Sequence, residues 1–283
     1  MNLPRNYFDF LMLTTLILSA PVGRAQVSNG NLPVAPAGWE LIWHDEFDQP
    51  GSPNSALWSY DVGGDGWGNR EAQFYTSGRL ENARVEQGHL IIEARREQWQ
   101  KAAYTSARLV SKNKGDWSAG RFEIRAQVPL GRGTWAAVWM LPTVWNLGNG
   151  AWPDNGEIDI LEHVGHQPGL IHASTHSRKN QWQNNTQRTA IRRVPDAGTA
   201  FHLYGLEWNA EEIRISIDGE IYFTSRKAGG DWTSWPFERN FYLIMNLAIG
   251  GAWGAERGID DHAFPQQMLV DYVRVYQRAA VQP

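Results

Sequence analysis

Trp152-Pro153-Asp154-Asn155-Gly156-Glu157-Ile158-Asp159-Ile160-Leu161-Glu162-His163 is the stretch whose reading decides the fold. With a period of two, Glu157 and Asp159 project from one side of a strand and Ile158 and Ile160 from the other. Isoleucine towards one side and carboxylate towards the other describes a strand between a core and a wet cleft. Like charges this close repel each other, and sheet packing rewards nothing of the kind. The plain alternative is a solvated strand face that happens to be acidic.

Glu162 falls out of step. It lies five residues after Glu157, so an unbroken strand would turn it into the core, where an ionised carboxylate costs several kcal/mol unless paired. One extra residue bulged out near Ile160 or Leu161 restores the parity. Glu157 and Glu162 then behave as residues four apart, roughly 13 Å between Cα atoms. Leaning together, their carboxyls can approach to about 5–5.5 Å, the separation that suits glycoside hydrolysis with retention; inversion needs a wider gap to hold a water.

Outward from this strand, turn-bounded apolar runs recur at short spacing. Gly120–Val128 alternates with its apolar residues at even positions. Thr134–Met140 puts Trp135 and Trp139 on one face and Val138 and Met140 on the other. Trp39–Phe47, Leu90–Ala94, Ile171–His176, Phe201–Trp208, Phe241–Leu247 and Met268–Tyr276 read as further strands. Ile213–Ser225 contains Asp218-Gly219, a strong hairpin signal. Residues 48–75, rich in Gly, Pro, Asn and Trp, read as a long surface loop. No long segment carries helix periodicity. Many short strands in one domain predict an all-β sandwich of two antiparallel sheets, with a concave face holding the acidic strand.

The chain has 283 residues and a formal net charge of −4. Residues 1–25 have the pattern of an export signal, with an apolar run too short to span a bilayer and Gly23-Arg24-Ala25 before the cleavage point at Gln26. Cleavage removes Arg5, Arg24 and Asp9, leaving 258 residues at a charge of −5. That balance argues against nucleic acid and anionic membrane as partners. There is no cysteine, so neither disulfides nor thiolate metal sites contribute. Fifteen tryptophans exceed the needs of a core and suit stacking on sugar faces. Residues 26–38 read as a mobile lead-in, 39–277 as the folded domain and 278–283 as a tail.

The run Gly156–His163 resembles the signature of glycoside hydrolase family 16, in its bacterial laminarinase branch. Trp43-His44-Asp45-Glu46-Phe47, Gly66-Trp67-Gly68-Asn69, Gly133-Thr134-Trp135, Trp139-Met140-Leu141-Pro142 and Val270–Tyr276 carry the likeness across most of residues 39–277. Two residues between Asp159 and Glu162, rather than one, set it apart from the lichenase-like branch. The resemblance implies a β-jelly-roll with a concave cleft. It also implies a secreted, monomeric endo-β-1,3-glucanase that needs no cofactor for catalysis, with mixed-linkage glucan as a further substrate. Glu157 would be the nucleophile, Glu162 the acid/base and Asp159 the assisting carboxylate. Trp135, Trp139, Asn69, Trp67 and Trp253 would meet the sugar, and His176 would touch Glu162 or the leaving sugar. Glu46, Gly88 and Asp271 match positions where family members often hold a structural calcium. A transglycosylase and a non-catalytic β-glucan-binding protein share the fold; the second kind lacks the carboxylates present here.

Overall fold

The computed structural model describes residues 33–280; the export signal at 1–25 lies outside them, as do part of the lead-in and the last three residues of the tail. Residues 33–38 carry no strand.

Two sheets face each other. One runs, edge to edge, through Arg188–Arg193, Leu170–His176, Glu157–Val164, Thr134–Pro142, Phe241–Ile249, Arg108–Val110 and Ser59–Tyr60, with Asp116–Trp117 pairing the Phe241 strand. The other runs through Glu220–Arg226, Glu212–Ile217, His202–Trp208, Gly120–Gln127, Gln266–Arg278, His89–Trp99, Ala102–Ser106 and Gln73–Tyr75. Trp39–Asp45 and Ala83–Glu86 add to it along the Gln266 and His89 strands. Among the described residues all strand pairs are antiparallel except that of Gln73–Tyr75 with Ala102–Ser106. This is the two-sheet sandwich expected from the strand pattern, in the jelly-roll form that the resemblance implies. The region 48–75 departs from that expectation. Ser59–Tyr60 and Gln73–Tyr75 are short strands at the sheet edges, because backbone pairing with Leu109–Val110 and Tyr104–Ser106 is available there without any apolar alternation.

The core lies between the sheets and follows the alternation. Phe122, Ile124 and Ala126 from one sheet meet Val138, Met140, Ile158, Leu243, Met245 and Leu247 from the other, all with no exposure. Each such large side chain contributes about 1.5–3 kcal/mol. The odd residues of Gly120–Gln127 face outward, where Arg121 meets Glu123 at 2.7 Å and Glu207 at 3.0 Å, and Arg214 bridges Glu207 and Glu212 at 2.8 and 3.2 Å. The outer face of the ten-stranded sheet is thus a lattice of paired charges. The outer face of the eight-stranded sheet is the floor of the cleft.

Candidate active site

The acidic strand leaves a tight turn at Gly156, whose φ is +86° and whose absent Cβ would lie 2.8 Å from Pro236; only glycine fits there without strain. Beyond it the strand carries the expected bulge. Trp139 pairs with Asp159, Val138 with Leu161 and Ala137 with Glu162, so Ile160 has no partner. On the other side Asp159 pairs with Ser174 and Glu162 with His172, again with one residue too many. Ile160 and Leu161 both enter the core with no exposure. Their joint burial favours the bulge, and the bulge returns Glu162 to the face of Glu157 and Asp159.

Two of the three carboxyls on this floor have an indole donor. The Trp152 indole N–H reaches Glu157 Oε2 at 3.1 Å, and that of Trp135 reaches Glu162 Oε1 at 3.0 Å. His176 Nε2 lies 3.1 Å from Asp159 Oδ2 and 3.8 Å from Glu157 Oε1. No guanidinium or ammonium is paired with any of the three carboxyls among the described residues. Burial pushes Glu157 far above the usual carboxylate range, helped by the charges of Asp159 and Glu162 and opposed by His176 and Trp152. Burial likewise pushes Asp159 up to about 8. Glu162 also rises to about 8, from burial first and then from Asp159's charge. The three therefore hold protons as one coupled unit near neutral pH. Such a unit can offer a proton from one carboxyl while another, hydrogen-bonded, stays available to attack.

The predicted tryptophans border this unit. Trp135, Ala137 and Trp139 share its face by cross-strand pairing. Trp253, in the single-turn helix Gly251–Gly254, meets Trp135 edge-on at 5.4 Å and His172 at 4.7 Å. Trp139 donates to Asn246 Oδ1 at 2.6 Å. Trp67 stands beyond it, with the Arg108 guanidinium between the two rings at 4.7 and 4.8 Å. Asn69 turns to Glu71 Oε1 at 3.2 Å and accepts the Ala252 backbone N–H at 2.8 Å.

His176 departs from expectation. It sits opposite Glu157 and touches Asp159, whereas His172 is the residue opposite Glu162. His176 faces Glu157 with or without the bulge; the bulge sets Glu162 opposite His172, where an unbroken strand would bring it opposite Ile171. Of the remaining histidines, His163 is buried, accepts the Gly169 N–H at 3.3 Å and is pushed by burial down to about 4.

Glu46, Gly88 and Asp271 do not assemble a cation site from their side chains. Glu46 is held by Arg274 through two contacts of 2.9 and 2.7 Å, and Asp271 lies 2.6 Å from Arg125 with His89 at 3.6 Å. Both carboxylates are already matched by guanidinium, so in this arrangement they do not fit calcium. The residues whose ligand atoms crowd within 4.8 Å are Glu157, Asp159 and His176, and the same atoms are engaged in the carboxyl unit described above.

Sequence reasoning missed Trp152, Arg108, Asn246 and Glu71. Trp152 was within reach, five residues before Glu157 in the same quoted run. Arg108 is a lone charge in the apolar run Ala107–Val110 and is locked to Asp61 at 3.0 Å. Glu71 had no local signal. It is half-buried at an isolated β-bridge to Gly250, its carboxyl raised by desolvation and answered by Gln73 at 2.7 Å, Asn69 and Tyr75.

The family model "Glycosyl hydrolases family 16" matches residues 70–274. A Beta-glucanase of Rhodothermus marinus is 51% identical over 271 residues, 93% of this chain and 94% of that protein. A Glucan endo-1,3-beta-glucosidase of Cryptopygus antarcticus is 37% identical over 77% of this chain and 83% of its own length. Among solved structures, the laminarinase from Rhodothermus marinus superposes with a TM-score of 0.84 at 53% identity, covering 85% of this chain and 98% of that one. SCLam, described as a non-specific endo-beta-1,3(4)-glucanase, gives 0.81 at 40% identity over 87% and 94%.

Proposed function

The chain belongs to glycosyl hydrolase family 16, and from that premise we propose that it is an endo-acting β-1,3-glucanase that hydrolyses with retention. It is a glycoside hydrolase. The observation that carries the chemistry is the bulge at Ile160, which puts Glu162 on the cleft face with Glu157.

In the first step a Glu157 oxygen attacks the anomeric carbon while Glu162 gives its proton to the glycosidic oxygen, and the bond to the departing sugar breaks. The imidazole of His176, 3.8 Å from Glu157 and 3.1 Å from Asp159, opposes the rise that burial gives Glu157 and so favours the attacking anion. Burial disfavours that anion in the empty cleft. The positive charge that grows on the sugar ring supplies what water does not, so the interaction strengthens towards the transition state. The ester then formed removes Glu157's charge, and Glu162, now deprotonated, draws a proton from the water that attacks the same carbon. Two inversions give net retention.

A neutral glucan suits the walls. The indoles of Trp135, Trp139, Trp253 and Trp67 offer apolar faces, and Arg108 is neutralised by Asp61 rather than presented to an anionic sugar. Cleavage of mixed β-1,3-1,4 chains is a second reading, favoured by the 40% identical structure described as non-specific. Product analysis on laminarin, mixed-linkage glucan and agarose tests both. New reducing ends born in the β-configuration support the mechanism. An α-configured first product, or intact laminarin after exhaustive incubation, would overturn it.

Export follows from the signal pattern of residues 1–25, and we expect the mature protein to begin at Gln26 as a secreted monomer. N-terminal sequencing of the protein recovered outside the cytoplasm, together with its mass in solution, checks that expectation.

A further inference from the structure

A second concavity lies on the far side of the cleft wall. The short strand Gln73–Tyr75 alternates: Gln73 and Tyr75 point to the buried network of Glu71 and Asn246, with Tyr75 Oη accepting from Asn246 at 3.0 Å. Phe74 points the other way, into an open cavity of about 620 Å³ shared with Val62, Leu80, Arg79 and Trp99. Val62 and Leu80 are about half exposed (51% and 47%). Neither they, nor Phe74, nor Trp99 joins either hydrophobic cluster of the protein. Four apolar side chains have thus gathered around solvent without serving the core. Gathered at one opening rather than scattered singly, they call for a reason.

Its chemistry resembles that of the cleft. Trp99 is fixed by the Arg79 guanidinium 4.8 Å from its ring, and Arg79 is itself gripped by Glu97 at 2.5 and 2.9 Å. The indole is therefore pre-set, as a stacking platform must be if ligand binding is not to order it. Ser77, Glu81 and Gln100 ring the opening with groups able to bond hydroxyls. Arg79 is already paired, which leaves no unmatched positive charge for an anionic ligand. The volume falls within the range of small-ligand sites and would admit a short run of sugars. Val62 ties it to the cleft. Its neighbour Asp61 holds Arg108, and its neighbour Gly63 accepts the Trp67 indole N–H at 3.2 Å.

We propose that the pocket of Val62, Phe74, Leu80 and Trp99 is a second, non-catalytic binding site for the neutral β-glucan polymer cleaved in the cleft. The proposal rests on the function assigned above. Holding one part of a long chain there raises the effective concentration of the remainder at the cleft, and short oligosaccharides gain nothing from it.

The test uses Trp99→Ala and, as an exposed second change, Leu80→Asp. Each is placed in the active enzyme and in a Glu157→Gln background. In affinity gels cast with laminarin, the pocket variants of the Glu157→Gln protein are expected to be retarded several-fold less than their parent. In the active enzyme, turnover of short soluble β-1,3-oligosaccharides is expected to stay within about twofold while turnover of long or insoluble glucan falls several-fold. Equal retardation of parent and both variants overturns the pocket and leaves the hydrolase standing. A wild-type enzyme that leaves laminarin uncut removes the parent reading, and this inference with it.

Discussion

Glu97 closes the outer face of the ten-stranded sheet, and Glu162 lies on the floor of the cleft across the sandwich. Hydrogen bonds from Arg79 and, against the pull of burial, from Thr105 hold Glu97 at about 2, whereas burial and the charge of Asp159 push Glu162 up to about 8. Both are glutamates on strands of one protein. One surface gives each carboxylate a guanidinium; the other crowds carboxyls together and supplies indole N–H groups and one imidazole. The difference teaches where stability has been given up. Charges on the paired face are individually worth little, about 0–1 kcal/mol each, but they oppose nothing. Those in the cleft resist ionisation, and that resistance is what the chemistry uses.

The sharpest break of this contrast is removal of the reacting carboxyls. Glu157→Gln is expected to lower kcat by about 10⁴-fold or more, and Glu162→Gln by about 10²–10⁴-fold, with glucan still retained in affinity gels. Near-full turnover in either variant would sink the roles assigned. A smaller loss, about 10–100-fold in kcat with KM little changed, is expected for His176→Ala or Asp159→Asn, since these act through Glu157. A merely structural role would instead show as a fall in melting temperature with kcat preserved.

The pH dependence sharpens the same contrast. Glu162 has a folded-state value raised from 4.5 to about 8, so the native state binds the proton more tightly than the unfolded chain. Stability contributed by that proton is present below about pH 4.5 and is lost as pH rises towards 8. Glu162→Gln should therefore raise Tm by about 2–4 °C at pH 8 and by nothing measurable at pH 4. It should also abolish the alkaline limb that the raised Glu162 leads us to expect in the wild-type kcat/KM profile. Glu97 runs the other way. Its lowered value means a contribution present above about 4.5 that fades as pH falls towards 2. The smallest expected effect is that of a calcium chelator, a change in Tm below about 1 °C, because Arg274 occupies Glu46. A drop of several degrees in a melting scan would show that a metal competes with that arginine.

Much of this was legible from side-chain parity. The mismatch at Glu162 demanded an extra residue, and the structure puts it at Ile160. Alternation also put Trp135 and Trp139 on the right face. Other contacts were hidden because they join segments far apart in the chain. Arg108 meets Trp67 and Trp139 from opposite sides, and Arg274 meets Glu46 across 228 positions. No local period announces such pairings. His176 meets Asp159 because it pairs opposite Glu157, and no local period in the sequence announces the register between those two strands.

One rim of the cleft has a consequence for how substrate enters. The loop of Asn69 is stitched to the segment around Gly250 through Ala72 N–H to Ile249 O and Ala252 N–H to Asn69 O, both 2.8 Å, and Gly250 itself donates to Gly133 O at 2.7 Å. Main-chain rivets of this sort make a doorpost rather than a flap. Its ordering cost is met once, during folding, and not again at each encounter. Substrate then meets a rim already in its final shape, without a closing motion.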